Sequence, residues 1–521
     1  MTKPSPNILD HLKQDLPAGL VVFLVALPLC LGIALASGAP LFSGVIAGVI
    51  GGIVVGWISG SHTSVSGPAA GLTVIVWNAI EDLGSFELFL STVVLAGMIQ
   101  IILGILRAGI IGYYFPTSVI KGMLSGIGVI LIIKQLPYAL GINEAESLVD
   151  LLPFVDDAGS IRDIAQLQHK FAWGAVIISA LSLLVLKLWE SKKIKDHEIL
   201  KAVPGPLVVV IIGIGLNFLF QVFTPSLHLT EENKVKLPEI TDWDQITGLF
   251  LYPDFSMALN PQVWLIAFTI AIVASLETLL SLEAADKIDP LKRVSPPNRE
   301  LFAQGIGNIF NGLVGGLPVT AVIVRSSANV SAGSKTKMAA IFHGFLLLVC
   351  VIAVPHFLNL IPISSLAAIL LSVGYKLTRV SLIKEQAKLG KTQFLPFLIT
   401  LVGIILFDLL TGIALGMSIA IFNIILRNYK NPHMMEKRKD SNGETIHICL
   451  SEEVSFLNKG ALIKALEEIP NEAHVIIDGS RSKIVDYDIV EVIENFRITA
   501  KDRNIKLETK AIPEIRIKSM H

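Results

Sequence analysis

Through the first 426 residues, long apolar runs alternate with short polar breaks. The runs lie at 16–37, 43–60, 67–80, 87–106, 116–136, 171–189, 204–223, 262–282, 299–314, 318–329, 336–354, 360–374, 392–407 and 408–426. A helix crossing a bilayer needs about 17–25 such residues, so the pattern predicts about fourteen spans. Only Asp408 and Gly412 punctuate the last two runs, and Asp408 fits an N-cap for the final helix. Two runs, 67–80 and 318–329, are conspicuously short, and each opens beside a proline, Pro68 or Pro318.

The short runs share one design. Gly315-Gly316-Leu317-Pro318 precedes one, and Ser64-Val65-Ser66-Gly67-Pro68 precedes the other. A continuous membrane helix avoids such a start, because Pro removes a backbone donor and Gly weakens helix. A half-helix starting inside the membrane tolerates it, since Pro is accepted in a first turn and Gly allows a tight entry. Free N–H groups and the positive end of the helix dipole at bilayer depth then form a site for an anion. Two such starts in corresponding positions of two halves are the pattern of a transporter site. The halves also resemble each other in letters: Leu41-Phe42-Ser43-Gly44 through Gly56 matches Leu301-Phe302-Ala303-Gln304 through Gly316 at constant offset. Gly44, Gly48, Gly52, Gly56 and Gly60 recur every fourth residue and predict a smooth face for close helix packing.

Composition and charge sharpen this picture. The 521-residue chain is 52% hydrophobic and only 16% charged. Its mean hydropathy of +0.67 is far above that of a soluble enzyme. The net charge of −1 hides an uneven distribution. Lys187, Lys192, Lys193, Lys195 and Lys201 crowd one loop; Lys376, Arg379, Lys384, Lys388 and Lys391 crowd another; Arg427, Lys430, Lys437, Arg438 and Lys439 follow the last span. Segments 137–170 and 224–261 lean acidic, through Glu144, Glu146, Asp150, Asp156, Asp157, Glu231, Glu232, Asp242 and Asp244. With the N-terminus inside, all five obey the positive-inside rule. Seven spans per half keep that parity only if the halves are inverted. The first run is preceded by Lys3, His11 and Lys13, but no Ala-x-Ala cleavage pattern comes after it and further spans follow at once, so it reads as a span rather than a signal peptide.

After Asp440 the sequence resembles a small soluble module. Thr445–Leu450, His474–Asp478 and Ile505–Glu508 read as strands, and Gly460–Ile469 and Asp488–Ala500 as helices. That alternation predicts a compact α/β fold, cytoplasmic because it follows a basic exit. The expected organisation is a cytoplasmic N-terminus (1–15), a transporter domain (16–430, with repeat one at 16–223 and repeat two at 262–427) and a cytoplasmic module (441–521).

Few residues carry chemistry. Glu277 lies inside the 262–282 span, where a carboxylate is costly unless it faces a cavity or a cation. Ser275, Thr278 and Ser281 lie near it, with Ser281 one turn on along the same face. Oxygen ligands of that kind suit a proton or sodium, with a salt bridge to Arg325 as the structural alternative. Arg325, two turns past Pro318, either adds positive charge beside an anion or pairs with Glu277. Lys121 and Lys134, at opposite ends of the fifth span, read as snorkelling. His62 and His343 read as packing or capping residues rather than proton shuttles. Cys30, Cys350 and Cys449 lack metal or disulfide spacing. No GxxxxGK, CxxC or HExxH pattern occurs, which argues against an enzyme, and no feature calls for nucleic acid or an organic cofactor.

These residues resemble the sulfate permease (SulP) family of inorganic anion transporters, bacterial relatives of the solute carrier anion exchangers. The resemblance rests on Val25-Ala26-Leu27-Pro28 through Ser37-Gly38, Ser66-Gly67-Pro68-Ala69-Ala70-Gly71, Glu277 with Ala285-Asp286-Lys287, Asn298 through Gly305, and the Gly315–Asn329 stretch. It implies core and gate domains built from two inverted seven-span repeats, followed by a STAS domain. It places the anion between the starts of spans three and ten, lined by Phe23, Ala69, Ala70, Gly71, Val319, Thr320 and Ala321. Glu277 matches the acid that couples transport to protons or sodium in relatives, and Ser281 a hydroxyl near the sodium of the bicarbonate branch. The resemblance also implies a homodimer in the inner membrane of a bacterium. Sulfate carriers of the family have Pro-Gln and a nearby tyrosine in span one, whereas Pro28-Leu29 and Ile33 stand here, as in the bicarbonate branch. Asp486-Tyr487-Asp488 replaces the phosphorylatable residue of regulatory STAS domains, which points to packing or dimerisation.

The expectation is therefore a secondary active transporter of bicarbonate or sulfate, working by alternating access and coupled to Na+ or H+ through Glu277. A nucleobase permease of the same architecture would need carboxylates at the half-helices, which are absent. An uncoupled channel would survive neutralisation of Glu277, and a membrane-tethered signalling protein would depend on residues 440–521.

Overall fold

A computed structural model describes residues 11–142, 171–191, 194, 197, 203–238, 250–430, 433–440 and 443–512. Lys3, Lys192, Lys193, Lys195, Lys201, the acidic residues from Glu144 to Asp157, and Asp242 and Asp244 lie outside the described residues.

Each expected span has its element. They are α1 (Leu12–Ala36), α2 (Leu41–Ile58), α3 (Thr73–Leu83), α4 (Phe86–Ile105), α5 (Thr117–Leu140), α6 (Trp173–Trp189) and α7 (Gly205–Phe223) in the first half. The second half has α8 (Pro261–Ile288), α9 (Pro297–Val314), α10 (Ile323–Ser331), α11 (Met338–Ala353), α12 (Ile363–Leu377), α13 (Lys391–Leu406) and α14 (Leu409–Lys430). Among the described residues, eight helices are long and apolar enough to cross a membrane on their own. α9 is not among them, because one of its faces carries buried amides and a carboxylate rather than apolar side chains. Local signals set many ends. Ser85 accepts a hydrogen bond from the Leu88 N–H at the start of α4 (3.1 Å), and Asn260 accepts one from Gln262 at the start of α8 (2.9 Å). Asp408 caps α14, accepting from the Thr411 N–H (3.0 Å) and hydroxyl (2.5 Å).

The short runs differ from their expected form. Pro68 and Pro318 do not begin helices. Ser66–Pro68 forms strand β1 and Val319–Ala321 forms strand β2, paired antiparallel with Ser66 opposite Ala321, Gly67 opposite Thr320 and Pro68 opposite Val319. Helix begins only after the strands, at Ala70–Leu72 leading into α3 and at Ile323. The physical reason is that a residue preceding proline is driven to extended backbone, and the β-branched Val319, Thr320 and Val322 continue it.

The membrane helices pack as two groups. α1–α4 pack among themselves and with α8–α11; α5, α6, α7, α12 and α13 form the second group, which α14 joins where Gly412 packs on Ile404 of α13. Small residues allow the closest approaches. A Cβ added at Gly97 of α4 would lie 2.6 Å from the Gly305 carbonyl of α9, and one at Gly305 would lie 2.7 Å from the Gly97 carbonyl. The glycine face of α2 meets Cys30 and Ala34 of α1 at Gly44 and the α11 backbone at Gly52, as its spacing predicts. Residues 51–55 form a turn of π-helix, where a Cβ at Gly51 would lie 2.6 Å from the Ser66 carbonyl. Buried Asp15 ties the start of α1 to the α10–α11 loop, accepting from the Lys335 N–H (2.7 Å), the Thr336 N–H (3.1 Å) and the Thr336 hydroxyl (2.5 Å).

Residues 417–521 form a second compact unit. It contains β3 (His433–Asp440), β4 (Gly443–Leu450), β5 (Glu453–Val454), α15 (Lys459–Glu467), β6 (His474–Asp478), β7 (Ile484–Val485), α16 (Tyr487–Asp502) and β8 (Lys506–Lys510). Four strands make a sheet in the order β3-β4-β6-β8, antiparallel at β3–β4 and parallel elsewhere. The parallel pairs require crossovers, supplied by α15 and α16. Ile446, Ile448, Val475 and Ile477 bury one sheet face against Leu462, Ile489, Ile493 and Phe496. β3 lies in a run that its basic residues mark only as an exit loop.

Candidate functional site

The centre of the membrane domain is the β1–β2 ladder, and a buried polar scaffold holds it. The Asn308 side chain of α9 clasps β2 from both sides: its carbonyl oxygen accepts from the Val319 N–H (2.6 Å), and its amide donates to the Val319 carbonyl (3.2 Å). The same amide donates to Gln100 of α4 (2.6 Å), whose own amide donates to Ser275 of α8 (3.3 Å). One turn earlier, Gln304 donates to Ser66 of β1 (2.7 Å) and to Glu300 (2.9 Å), and Glu300 accepts from the Ser59 hydroxyl (2.5 Å). Past the ladder, the Val65 N–H donates to Ser326 (3.0 Å) and the Val322 N–H to the Val65 carbonyl (2.9 Å). Glu300, Gln304 and Asn308 are all fully buried, and of their side-chain oxygens only Gln304 Oε1 is without a partner. In low dielectric such a network is stable only when its members are matched, and it rigidifies what it holds. Sequence reasoning missed this scaffold, although its i, i+4, i+8 spacing on one helix face was visible.

Glu277 of α8 stands beside the ladder. A Cβ at Gly71 would lie 2.6 Å from Glu277 Oε2 and 2.7 Å from Oε1, so the carboxylate rests against the Gly71 backbone. Oε2 is buried and has no hydrogen-bond partner. The next residue, Thr278, accepts from the Ala321 N–H of β2 (3.2 Å), which links the acid's helix directly to the ladder. Ser281 lies one turn on and is buried. On the other side of Gly71 is a cavity of about 620 Å³ between the two helix groups. It is lined by residues of α3, α5, α8, α13 and α14, with Asn78, Asp82, Lys134, Thr269, Asp408 and Thr411 as its polar members, and Gly71 is the lining residue nearest the ladder in the chain.

The other expected residues take varied places. Ala69, Val319, Thr320 and Ala321 are buried, while Ala70 and Phe23 (on α1) are half-buried. Arg325 is fully buried under the ladder, where a Cβ at Gly67 would overlap its guanidinium. Nη2 donates to Cys30 Sγ (3.4 Å), whereas Nε and Nη1 have no partner. No ion pair joins Arg325 to Glu277 among the described residues, so the carboxylate is not neutralised in that way. His343 is fully buried with Nδ1 3.1 Å from the Ala340 carbonyl, in keeping with a packing role. Lys134 does not snorkel toward lipid. It lies over the Trp77 ring, 4.0 Å from its centroid, and lines the cavity. No cluster of three or more His, Cys, Asp or Glu suited to a metal occurs among the described residues.

The sulfate permease family matches the chain over residues 12–400. YvdB of Bacillus subtilis (strain 168), a candidate sulfate transporter by name, is 27% identical over 445 residues, covering 83% of this chain and 78% of that protein. Bicarbonate transporter BicA of a Picosynechococcus species is 26% identical over 421 residues, covering 79% and 69%. Among solved structures, the transmembrane domain of a cyanobacterial BicA superposes with a TM-score of 0.64 at 24% identity, covering 77% of this chain and 97% of that one. Murine Slc26a9, an anion transporter captured facing inward, superposes with a TM-score of 0.78 at 17% identity, covering 98% and 87%. At these identities the two structures speak for the fold alone. The family match stops before the C-terminal unit, whose four-stranded sheet is compatible with a STAS domain.

Proposed function

Since the chain belongs to the sulfate permease family, which comprises membrane anion transporters and not enzymes, we propose that it is a secondary active transporter of a small inorganic oxyanion, bicarbonate or sulfate. The anion binds at the ladder ends, among Phe23, Ala69, Ala70, Gly71, Val319, Thr320 and Ala321. Small uncharged residues dominate there, so recognition falls to backbone N–H groups and to the start of the segment leading into α3. Arg325 adds a buried positive charge behind the strands without a direct contact. That arrangement suits a singly charged ion such as bicarbonate, which needs fewer donors.

One observation carries the coupling: a carboxylate with a buried, unpartnered oxygen rests on the backbone of Gly71, at the edge of the cavity. Such an oxygen needs a proton or a cation. A carboxylate with the Ser281 hydroxyl one turn away is a donor set that fits sodium or a proton. Glu277 then acts as the coupling residue. Neutralising it removes the cost of an unpaired charge beside the bound anion, and Thr278 transmits any shift of α8 to β2. The group of α1–α4 and α8–α11 moves against the group of α5–α7 and α12–α14 to expose the site alternately. Loop charges favour both termini in the cytoplasm, which places the Asp82–Asp408 end of the cavity on the outer side of what the family resemblance suggests is a bacterial inner membrane.

The test is uptake of labelled bicarbonate and labelled sulfate into proteoliposomes under imposed sodium or proton gradients. Uptake of one anion above empty vesicles, dependent on one gradient, is expected. If neither anion moves, the proposal is lost. Glu277→Gln is expected to abolish gradient dependence while the protein remains folded; unchanged coupling removes Glu277 from its role.

A further inference from the structure

Lys134 is the one basic residue among the described residues lining the cavity, and its partner is unusual for a lysine in such a place. The cavity also carries Asp82 and Asp408, yet no carboxylate lies within ion-pair distance of Lys134 among the described residues. Both Asp408 oxygens are engaged by Thr411. Instead, the ammonium lies 4.0 Å from the centroid of Trp77. The indole is itself held by its N–H, which donates to Glu81 (2.9 Å). Lys134 is on α5, in the second helix group, and Trp77 is on α3, in the first, so the contact crosses the seam along which the cavity runs.

An aromatic face attracts a cation but does not neutralise it. Lys134 has no direct ion-pair partner among the described residues, so its charge, offset only at longer range by Glu81, still faces the cavity. At short range that charge attracts a small anion, although Asp82 and Asp408 share the same lining. Trp77 follows Gly71 by six residues, which along a helix is about 9 Å. Lys134 therefore stands well apart from the ladder ends.

We infer that Lys134 forms an outer binding site for the transported oxyanion, on the route to Gly71, in which the anion draws the ammonium off the Trp77 ring and so loosens α5 from α3. This rests on the function proposed above and adds to it a second anion site. At this site charge does the recognition, unlike the backbone-lined site at the ladder.

The experiment uses the full chain in proteoliposomes, with whichever of labelled bicarbonate and labelled sulfate the unmodified protein carries. Lys134→Gln is expected to raise KM about tenfold at low ionic strength with little change in maximal rate, and Lys134→Arg to keep KM near its original value. Lys134→Cys, made with Cys350→Ser and Cys449→Ser, is expected to show the raised KM. Reaction with 2-aminoethyl methanethiosulfonate, which restores a positive charge, brings KM back; the neutral methyl reagent does not. An unchanged KM in Lys134→Gln, or equal rescue by both reagents, overturns the site, because a mere strap between helices responds to bulk and alters rate. If the unmodified protein carries neither anion, the functional proposal itself fails, and this inference with it.

Discussion

At the scale of single residues, Gly71 and Glu277 are the pair on which the proposed function turns. The sequence singled out both, Glu277 as an acid inside a span and Gly71 as part of a resemblance, but it could not place them in contact. They lie more than 200 positions apart, and no periodicity encodes that meeting. The structure yields a specific expectation for Gly71→Ala. The new methyl would sit within 2.8 Å of the Glu277 carboxyl group, which is the far end of a flexible side chain and can swing away. The protein should therefore fold with nearly unchanged stability yet lose gradient-driven uptake, as is expected of Glu277→Gln. Thermal unfolding in detergent beside proteoliposome uptake checks this, and a Gly71→Ala protein that retains coupled uptake shows that the contact is dispensable. Arg325 illustrates the opposite case. Its sequence position left a pair with Glu277 open, and the fold resolves it by turning the guanidinium toward Cys30.

At the scale of elements, the helices and the C-terminal strands β4, β6 and β8 were legible, and the two-stranded membrane ladder was not. The division between α13 and α14 was readable from Asp408 and Gly412 alone, because capping is a local interaction, and the helices meet there as expected. The half-helix starts were misplaced because the local rule, proline in a first turn, competes with a non-local one. β1 exists only because β2, some 250 residues away, supplies its partner backbone. The clasp at Asn308 is what replaces the neighbouring strands that a two-stranded ladder lacks. Asn308→Leu keeps the approximate volume but strands the Val319 N–H and carbonyl and the Gln100 carbonyl in a buried setting. Each unmatched buried group costs about 1–3 kcal/mol, so a large drop in melting temperature is expected. Asn308→Asp in its protonated form, which can still accept from Val319 and donate to one of the two carbonyls, should fall less far. Equal melting of the leucine variant and the unaltered protein would falsify the view that Asn308 carries the ladder.

At the scale of the whole molecule, the chain consists of two units with separate reasons to fold. Among the described residues, the membrane unit has few ion pairs in its interior and relies on lipid and on buried amides. The C-terminal unit has an apolar core between sheet and helices, and its carboxylates lie at the surface, where acid can reach them. Asp478 is held below the usual carboxylate range by hydrogen bonds from Ser480, whose N–H donates at 2.8 Å, and then by the charge of His447. Glu508 is held low chiefly by its hydrogen bond with His474 (3.0 Å). A carboxyl whose folded pKa is depressed adds stability above its unfolded pKa and loses it as the pH falls through the folded value. Residues 431–521 produced alone should therefore fold cooperatively, because their core is complete without the membrane unit. Their melting temperature should fall as the pH drops from neutral through the carboxylate range. Asp478→Asn removes one titrating group, so its melting temperature should change less across the same interval. Far-UV circular dichroism melts at neutral and acid pH measure both. A fragment without a cooperative transition at neutral pH would show that the unit depends on the membrane domain, and an unaltered pH response in Asp478→Asn would remove that carboxylate from the cause.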